Sequence, residues 1–207
     1  MSERSSTDRI IEELTAGNAR FLQGHSIKST QASLNKLKSF AVTGQFPKAI
    51  VLCCSDSRAP VEIIFDQDIG DLFVIRVAGN IVAPSLVGSV EFAASTYGTS
   101  LVLVMGHSQC GAVTATLKHV EDPLGIESEN LHDLVARIKP HIYPIAQIRE
   151  MSFEEKLRRS VHANVLASVA QLSSSSRLIE GWVRDGKLTV VGAVLDLSTG
   201  AVHFIDT

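Results

Sequence analysis

Apolar positions along this chain alternate between a helical and a strand-like spacing. Ile10, Ile11 and Leu14 fall on one helical face behind Ser6 and Thr7, in a segment running to about Phe21 with Gly24 as its stop. That face has no partner nearby in sequence, so it packs either on its own domain or across a second subunit. Three apolar, β-rich runs follow at residues 48–53, 71–77 and 101–105, separated by helical patterns. Strands alternating with helices build a parallel sheet whose ligands sit beyond the carboxyl ends of the strands, which directs attention to the residues after 53 and 105. From 129 to about 184 the pattern is helical, interrupted by Pro140 and Pro144. Glu154, Glu155, Lys156, Arg158 and Arg159 mark a solvated stretch, and Ser173 to Ser176 a helix junction. Residues 187–194 and 201–204, joined through Ser198-Thr199-Gly200, read as a closing hairpin. The pattern predicts one α/β domain over 1–207. It has a mostly parallel central β-sheet flanked by helices, an N-terminal helical arm over 1–45, a core over 46–207 and a C-terminal antiparallel edge strand.

Composition narrows the function. A chain of 207 residues that is 45% hydrophobic buries one substantial core. Its 19 basic and 22 acidic residues are mixed along the chain for a net charge of -3, so no nucleic acid and no membrane surface is expected as a partner, and a small molecule is. Three cysteines, two of them adjacent, do not make a disulfide framework. With an N-terminus lacking a signal-type apolar run, they lead to the expectation of a soluble, cytoplasmic protein.

Both strand ends carry reactive clusters. The first ends in Cys53-Cys54-Ser55-Asp56-Ser57-Arg58 and the third in Gly106-His107-Ser108-Gln109-Cys110-Gly111. Cys54, His107 and Cys110 are ligand types suited to zinc, and three protein ligands leave a fourth tetrahedral position open, the pattern of a catalytic site. The structural alternative makes His107 a helix cap and Cys110 a small core residue. A helix beginning near Ser108 places Cys110 at a positive helix end, which favours a thiolate. Cys53 points to the opposite face of its strand and is assigned to the core. Asp56 and Arg58 form either a surface ion pair or a bidentate pair beside the metal, where the carboxylate accepts a hydrogen bond from the nucleophile.

Cys-Ser-Asp-Ser-Arg at 54–58 and His-Ser-Gln-Cys-Gly at 107–111 resemble the β-class carbonic anhydrases. So do Gly17-Asn18-Ala19-Arg20-Phe21, Gly70-Asp71-Leu72-Phe73 and Val77-Ala78-Gly79-Asn80. The resemblance spans most of the chain. It implies a homodimer, often paired into a homotetramer, with the N-terminal arm embracing the partner. It further implies Zn2+ on Cys54, His107 and Cys110, an Asp56–Arg58 dyad, and reversible hydration of carbon dioxide to bicarbonate and a proton. Gln45, Phe73, Phe92 and Gly111 are the substrate-binding positions it implies. The family often has a tyrosine where this chain has Phe92, so a hydroxyl contact there is expected to be lost. Val51 stands where allosteric bacterial members have tryptophan, which predicts no regulatory bicarbonate site. Asp56 leaving Arg58 to close onto the metal at low pH is an open possibility of the same resemblance. Carbonyl sulfide or carbon disulfide hydrolysis would use the same parts. A closed structural zinc site and a thiol pair at Cys53 and Cys54 are the non-homologous alternatives. His25, His119, His132, His141, His162 and His203 read as surface or core residues.

Overall fold

The computed structural model describes residues 5–121 and 128–205. Helix α1 spans Ser6–Leu22. Ser5 caps it: its hydroxyl accepts from the Asp8 N–H while the Asp8 carboxylate accepts from the Ser5 N–H. Its stripe packs at home. Leu14 is fully buried with Ile10, Ile11 and Phe21 against the core, and Asn18 donates to the Ile64 and Gly200 carbonyls. A second arm helix, α2, Thr30–Thr43, went unpredicted because it has no buried stripe to read: none of its residues is buried.

Five strands form the sheet: β1 Ala49–Cys53, β2 Leu72–Arg76, β3 Leu101–His107, β4 Thr189–Leu195 and β5 Val202–Ile205, in the order β2-β1-β3-β4-β5. All neighbours are parallel except β4 and β5. The expected architecture is therefore present, with one refinement. The closing hairpin is not confined to the edge, because β4 also pairs along its whole length with β3. Every residue of β1 and β3 is buried, as expected of strands covered on both faces. Alternation sends Ala49, Val51 and Cys53 to a core beneath α1, and Ile50 and Leu52 to the opposite core.

The crossovers are unequal. Between β1 and β2 the chain makes only the four-residue α3, Val61–Ile64. Between β2 and β3 a 3-10 turn at Ala78–Asn80 leads into α4, Pro84–Tyr97. After β3 come α5, Gly111–Glu121, α6, Glu129–Ala146, α7, Phe153–Ser173, and α8, Arg177–Arg184, with the serines joining the last two as expected. Pro140 and Pro144 do not interrupt α6 but lie inside it. Each removes an N–H from the helical ladder, and Ala136 and Pro140, whose carbonyls lose those partners, are exposed, where water can satisfy them. The charge run lies on α7 and is solvated at Glu154, Arg158 and Arg159, with Glu155 accepting from both arginines, whereas the Lys156 side chain is largely covered and reaches Glu121.

Candidate metal centre

Cys54 follows the last residue of β1, His107 ends β3, and Cys110 stands immediately before α5. The register that pairs Cys53 with Met105 brings the two strand ends side by side. Between the two later residues the chain must reverse sharply. Gln109 does this with φ +55°, a left-handed conformation that ends the strand and delays the helix to Gly111 rather than Ser108. Ser108 fixes the turn by donating its N–H to the Leu195 carbonyl and accepting the Leu197 N–H on its hydroxyl.

The result is a buried triad. Cys54, His107 and Cys110 are 6%, 1% and 1% exposed, and their ligand atoms all lie within 4.8 Å of one another. His107 Nδ1 pairs with the Ser108 carbonyl at 2.9 Å, which sets it as the N–H donor and leaves Nε2 a lone pair. That Nε2 is buried with no hydrogen-bond partner among the described residues. A buried orphan acceptor beside two thiols is expensive unless something electropositive meets it, and zinc accepts this donor set at bond lengths of about 2.0–2.3 Å. The residues fit the ion.

Electrostatics point the same way. A hydrogen bond from Cys110, opposed by burial and aided by His107 and the N–H groups of Gly79 and Asp56, pulls the Cys54 thiol far below its ordinary value. The Cys54 thiolate and burial push the Cys110 thiol up, against the N–H groups of Val113 and Ala112 at the start of α5. One anion is thus shared by two sulfurs, and a divalent cation would let both ionise. Cys53 is separate: burial raises its thiol to about 12, and it packs in the α1-side core rather than with Cys54.

Asp56 and Arg58 meet in a bidentate pair. Arg58 Nε donates to Oδ1 at 2.9 Å and Nη2 to Oδ2 at 2.7 Å, with the Arg58 N–H adding a bond to Oδ1. The guanidinium hydrogen bond, outweighing burial, holds the carboxyl well below the usual range, and Oδ2 lies 3.8 Å from His107 Nε2.

Two supports were not anticipated from the sequence. Arg76, at the end of β2, donates from Nε and Nη2 to the Cys54 carbonyl and from Nη2 to the Asp56 carbonyl at 2.6 Å, gripping the ligand loop from its neighbouring strand. Gly79 donates its N–H to Cys54 Sγ at 3.4 Å. Its φ of +73°, and an Ile138 methyl 2.7 Å from where a Cβ would sit, leave room for glycine alone. Helix α7 secures that turn, with Asn164 and Ser168 donating to the Gly79 and Asn80 carbonyls.

The expected substrate positions divide. Gly111 is exposed beside Cys110. Gln45, Phe73 and Phe92 gather elsewhere, around Tyr97: the Gln45 amide donates to the Tyr97 hydroxyl at 3.0 Å, and the three rings pack with centroids 5.8–6.2 Å apart. Phe73 pairs with Ile50, four residues of strand before Cys54, a separation of roughly 13 Å. Position 92 itself has no hydroxyl; the one in this cluster belongs to Tyr97, at the end of the same helix. Val51 is fully buried in the sheet.

Comparison with known proteins matches this geometry to one group. The carbonic anhydrase family profile matches residues 49–202. Carbonic anhydrase 2 of Mycobacterium tuberculosis is 35% identical over 187 residues, 90% of this chain and 87% of the relative. Among solved structures, the β-carbonic anhydrase CcaA superposes with a TM-score of 0.77 at 25% identity, covering 98% of this chain and 96% of that one. A chain of the tetrameric β-carbonic anhydrases from the ascomycete Sordaria macrospora shares the fold at a TM-score of 0.74 and 24% identity, covering 97% and 98%. No helix among the described residues is long and apolar enough to cross a membrane. With the matched profile and relative covering so much of the chain, and the Cys/His/Cys group gathered at the strand ends, the chain belongs to the β-carbonic anhydrase family.

Proposed function

We propose that this chain catalyses the reversible hydration of carbon dioxide, with Cys54, His107 and Cys110 holding Zn2+. The observation that carries this reading is the orphan His107 Nε2 within 4.8 Å of two thiol sulfurs, with the Arg58-held carboxylate of Asp56 beside it. When bound, Zn2+ supplies the Lewis acidity that generates hydroxide from water near neutral pH. Asp56, kept ionised by Arg58, is an acceptor throughout. It takes a hydrogen bond from the nucleophile and aims its lone pair at the carbon. Thiolates neutralise much of the metal's charge, so activity is expected to rise toward alkaline pH.

Phe73 and Phe92 offer an apolar wall for carbon dioxide and the Gln45 amide a donor for bicarbonate. Because this cluster lies roughly 13 Å along the strand from its own Cys54, we infer that it serves the metal centre of a second copy in a homodimer or homotetramer. The exposed Leu34, Leu37 and Val42 of α2 and neighbouring Phe46 supply apolar surface for that contact. Arm and core then act as one unit, in a reducing compartment such as the cytoplasm, where the three free buried cysteines are stable.

The test is stopped-flow carbon dioxide hydration across pH with zinc content measured on the same samples. Wild type is expected to hydrate carbon dioxide with one zinc per chain. Asp56→Ala is expected to keep its zinc and lose roughly 10–100-fold in rate. Stoichiometric zinc with no hydration at any pH would sink the reading and point to carbonyl sulfide or carbon disulfide, or to a structural metal.

A further inference from the structure

A second candidate site lies between α5 and α6, lined by residues that have no part in the reaction above. Helices α5 and α6 enclose a groove of about 460 Å³, with His119, His132, Lys139 and Tyr143 among its lining side chains and Val135 and Pro140 among its apolar walls. His119 is its floor: the residue is 7% exposed, and its Nδ1 is buried with no hydrogen-bond partner. The His132 ring meets it edge-on, centroids 5.8 Å apart. A buried imidazole nitrogen left unpaired costs stability unless a ligand or water reaches it.

The charge of the lining selects the ligand. Among the described residues, Lys139 is its only full charge and no carboxylate lines the groove. Of the described acids on the two helices, Glu121 pairs with Lys156 at 3.8 Å and Asp133 with Arg137 at 2.9 Å. An ammonium, two imidazoles and a phenol are present in the lining, each able to donate, while a metal cation would have two nitrogen ligands and a repelling ammonium, too few for a stable site. The volume lies within the range of small-molecule sites, and the walls between the donors are aliphatic and aromatic.

We propose that this groove binds a small organic carboxylate with an apolar body, its anionic end on Lys139 and the imidazoles of His119 and His132. Its position also connects it to the metal centre. Ile138, on the buried side of α6, packs against Gly79, whose N–H rests on Cys54, so a ligand between α5 and α6 presses on an element that supports the metal loop.

The experiment is histidine side-chain NMR on the zinc-loaded full chain, titrated with benzoate, with the neutral isostere benzamide, and with Zn2+. Benzoate is expected to shift the His119 and His132 signals with a dissociation constant of about 1 mM or tighter, and benzamide is expected to leave them in place. Benzoate binding at the catalytic metal would be reported separately, by His107. Lys139→Gln is expected to weaken the effect about tenfold, as loss of one charge-assisted hydrogen bond does. His119→Gln, checked for a native spectrum, is expected to weaken it also. The proposal is overturned if benzoate leaves both signals unmoved, if benzamide matches benzoate, if both variants bind as wild type does, or if added Zn2+ rather than benzoate occupies the pair.

Discussion

The metal group and the aromatic cluster draw on the same sheet yet differ in completeness. Cys54, His107 and Cys110 come from two segments more than fifty residues apart in the sequence, and all are buried within one chain. Their surroundings are held by Ser108, Gly79, Asn164 and Arg76. The cluster of Gln45, Phe73, Phe92 and Tyr97 is joined internally but open outward: Phe92 is 52% exposed, and Phe46, next to Gln45 in the chain, 65%. Metal ligands cannot wait for a partner, because a buried unsatisfied nitrogen or thiolate destabilises the chain that contains it. Aromatic rings can, since their exposure costs little until an interface covers them. One half of the proposed site is therefore finished by folding, and the other half is left for assembly.

The largest expected effect comes from breaking the finished half. Cys110→Ser is expected to empty the site of zinc and reduce hydration by more than about a hundredfold, beyond what loss of an outer partner causes, with metal content and rate read together. Phe73→Ala is expected to keep zinc and still lose most activity. The comparison is sharpest when the two damaged chains are unfolded, mixed in equal amounts and refolded. If each centre takes its cluster from the partner, mixed dimers contain one intact site, and symmetry returns about a quarter of wild-type activity. A site built within one chain gives no intact pairing in that mixture, only two kinds of damaged site, so no recovery would break the comparison.

A smaller effect is expected at Arg76. Its bonds end on the Cys54 and Asp56 carbonyls and it touches neither the ligand sulfurs nor the carboxylate. Arg76→Gln is expected to speed zinc release to a chromogenic chelator about tenfold while leaving stoichiometry intact. Unchanged release would show that the loop holds its shape without the guanidinium.

Arg76 also illustrates where reading the chain stops. The ligand triad was legible because cysteine and histidine are rare residue types and both segments ended apolar runs whose order implied a parallel sheet. Arginine gives no such signal when its partners are backbone carbonyls on another strand, since every residue has one. Helix α2 was illegible for the converse reason: without buried residues, it has no stripe for periodicity to detect. Tyr97 escaped because the resemblance singles out position 92, whereas the hydroxyl that meets Gln45 lies five residues further along the helix. Pro140 and Pro144 predicted a break, but on an exposed face water can take the place of the lost helical bonds.

The smallest effect separates the arm's attachment from its proposed role in assembly. Asp66, at the end of α3, is 3% exposed and receives Arg20 Nε at 2.6 Å, the Ser26 hydroxyl at 2.7 Å and the Ile27 N–H. Burial opposes its charge, but these donors together outweigh it and leave the carboxyl below its ordinary value. A folded-state value below the unfolded one means the ionised form stabilises the fold: the contribution is complete above the unfolded value of about 4 and is lost as pH falls through the folded one. Asp66→Asn is therefore expected to cost about 1–2 kcal/mol at neutral pH. The difference from wild type in urea midpoints should close progressively below about pH 4. Zinc content and hydration rate should not change, because the anchor lies under α1 and away from the metal loop. A variant equally destabilised at every pH would mean that packing, and not the charge, ties the arm down; one that lost activity while still folded would mean that the arm's anchoring at home is already part of the assembled site.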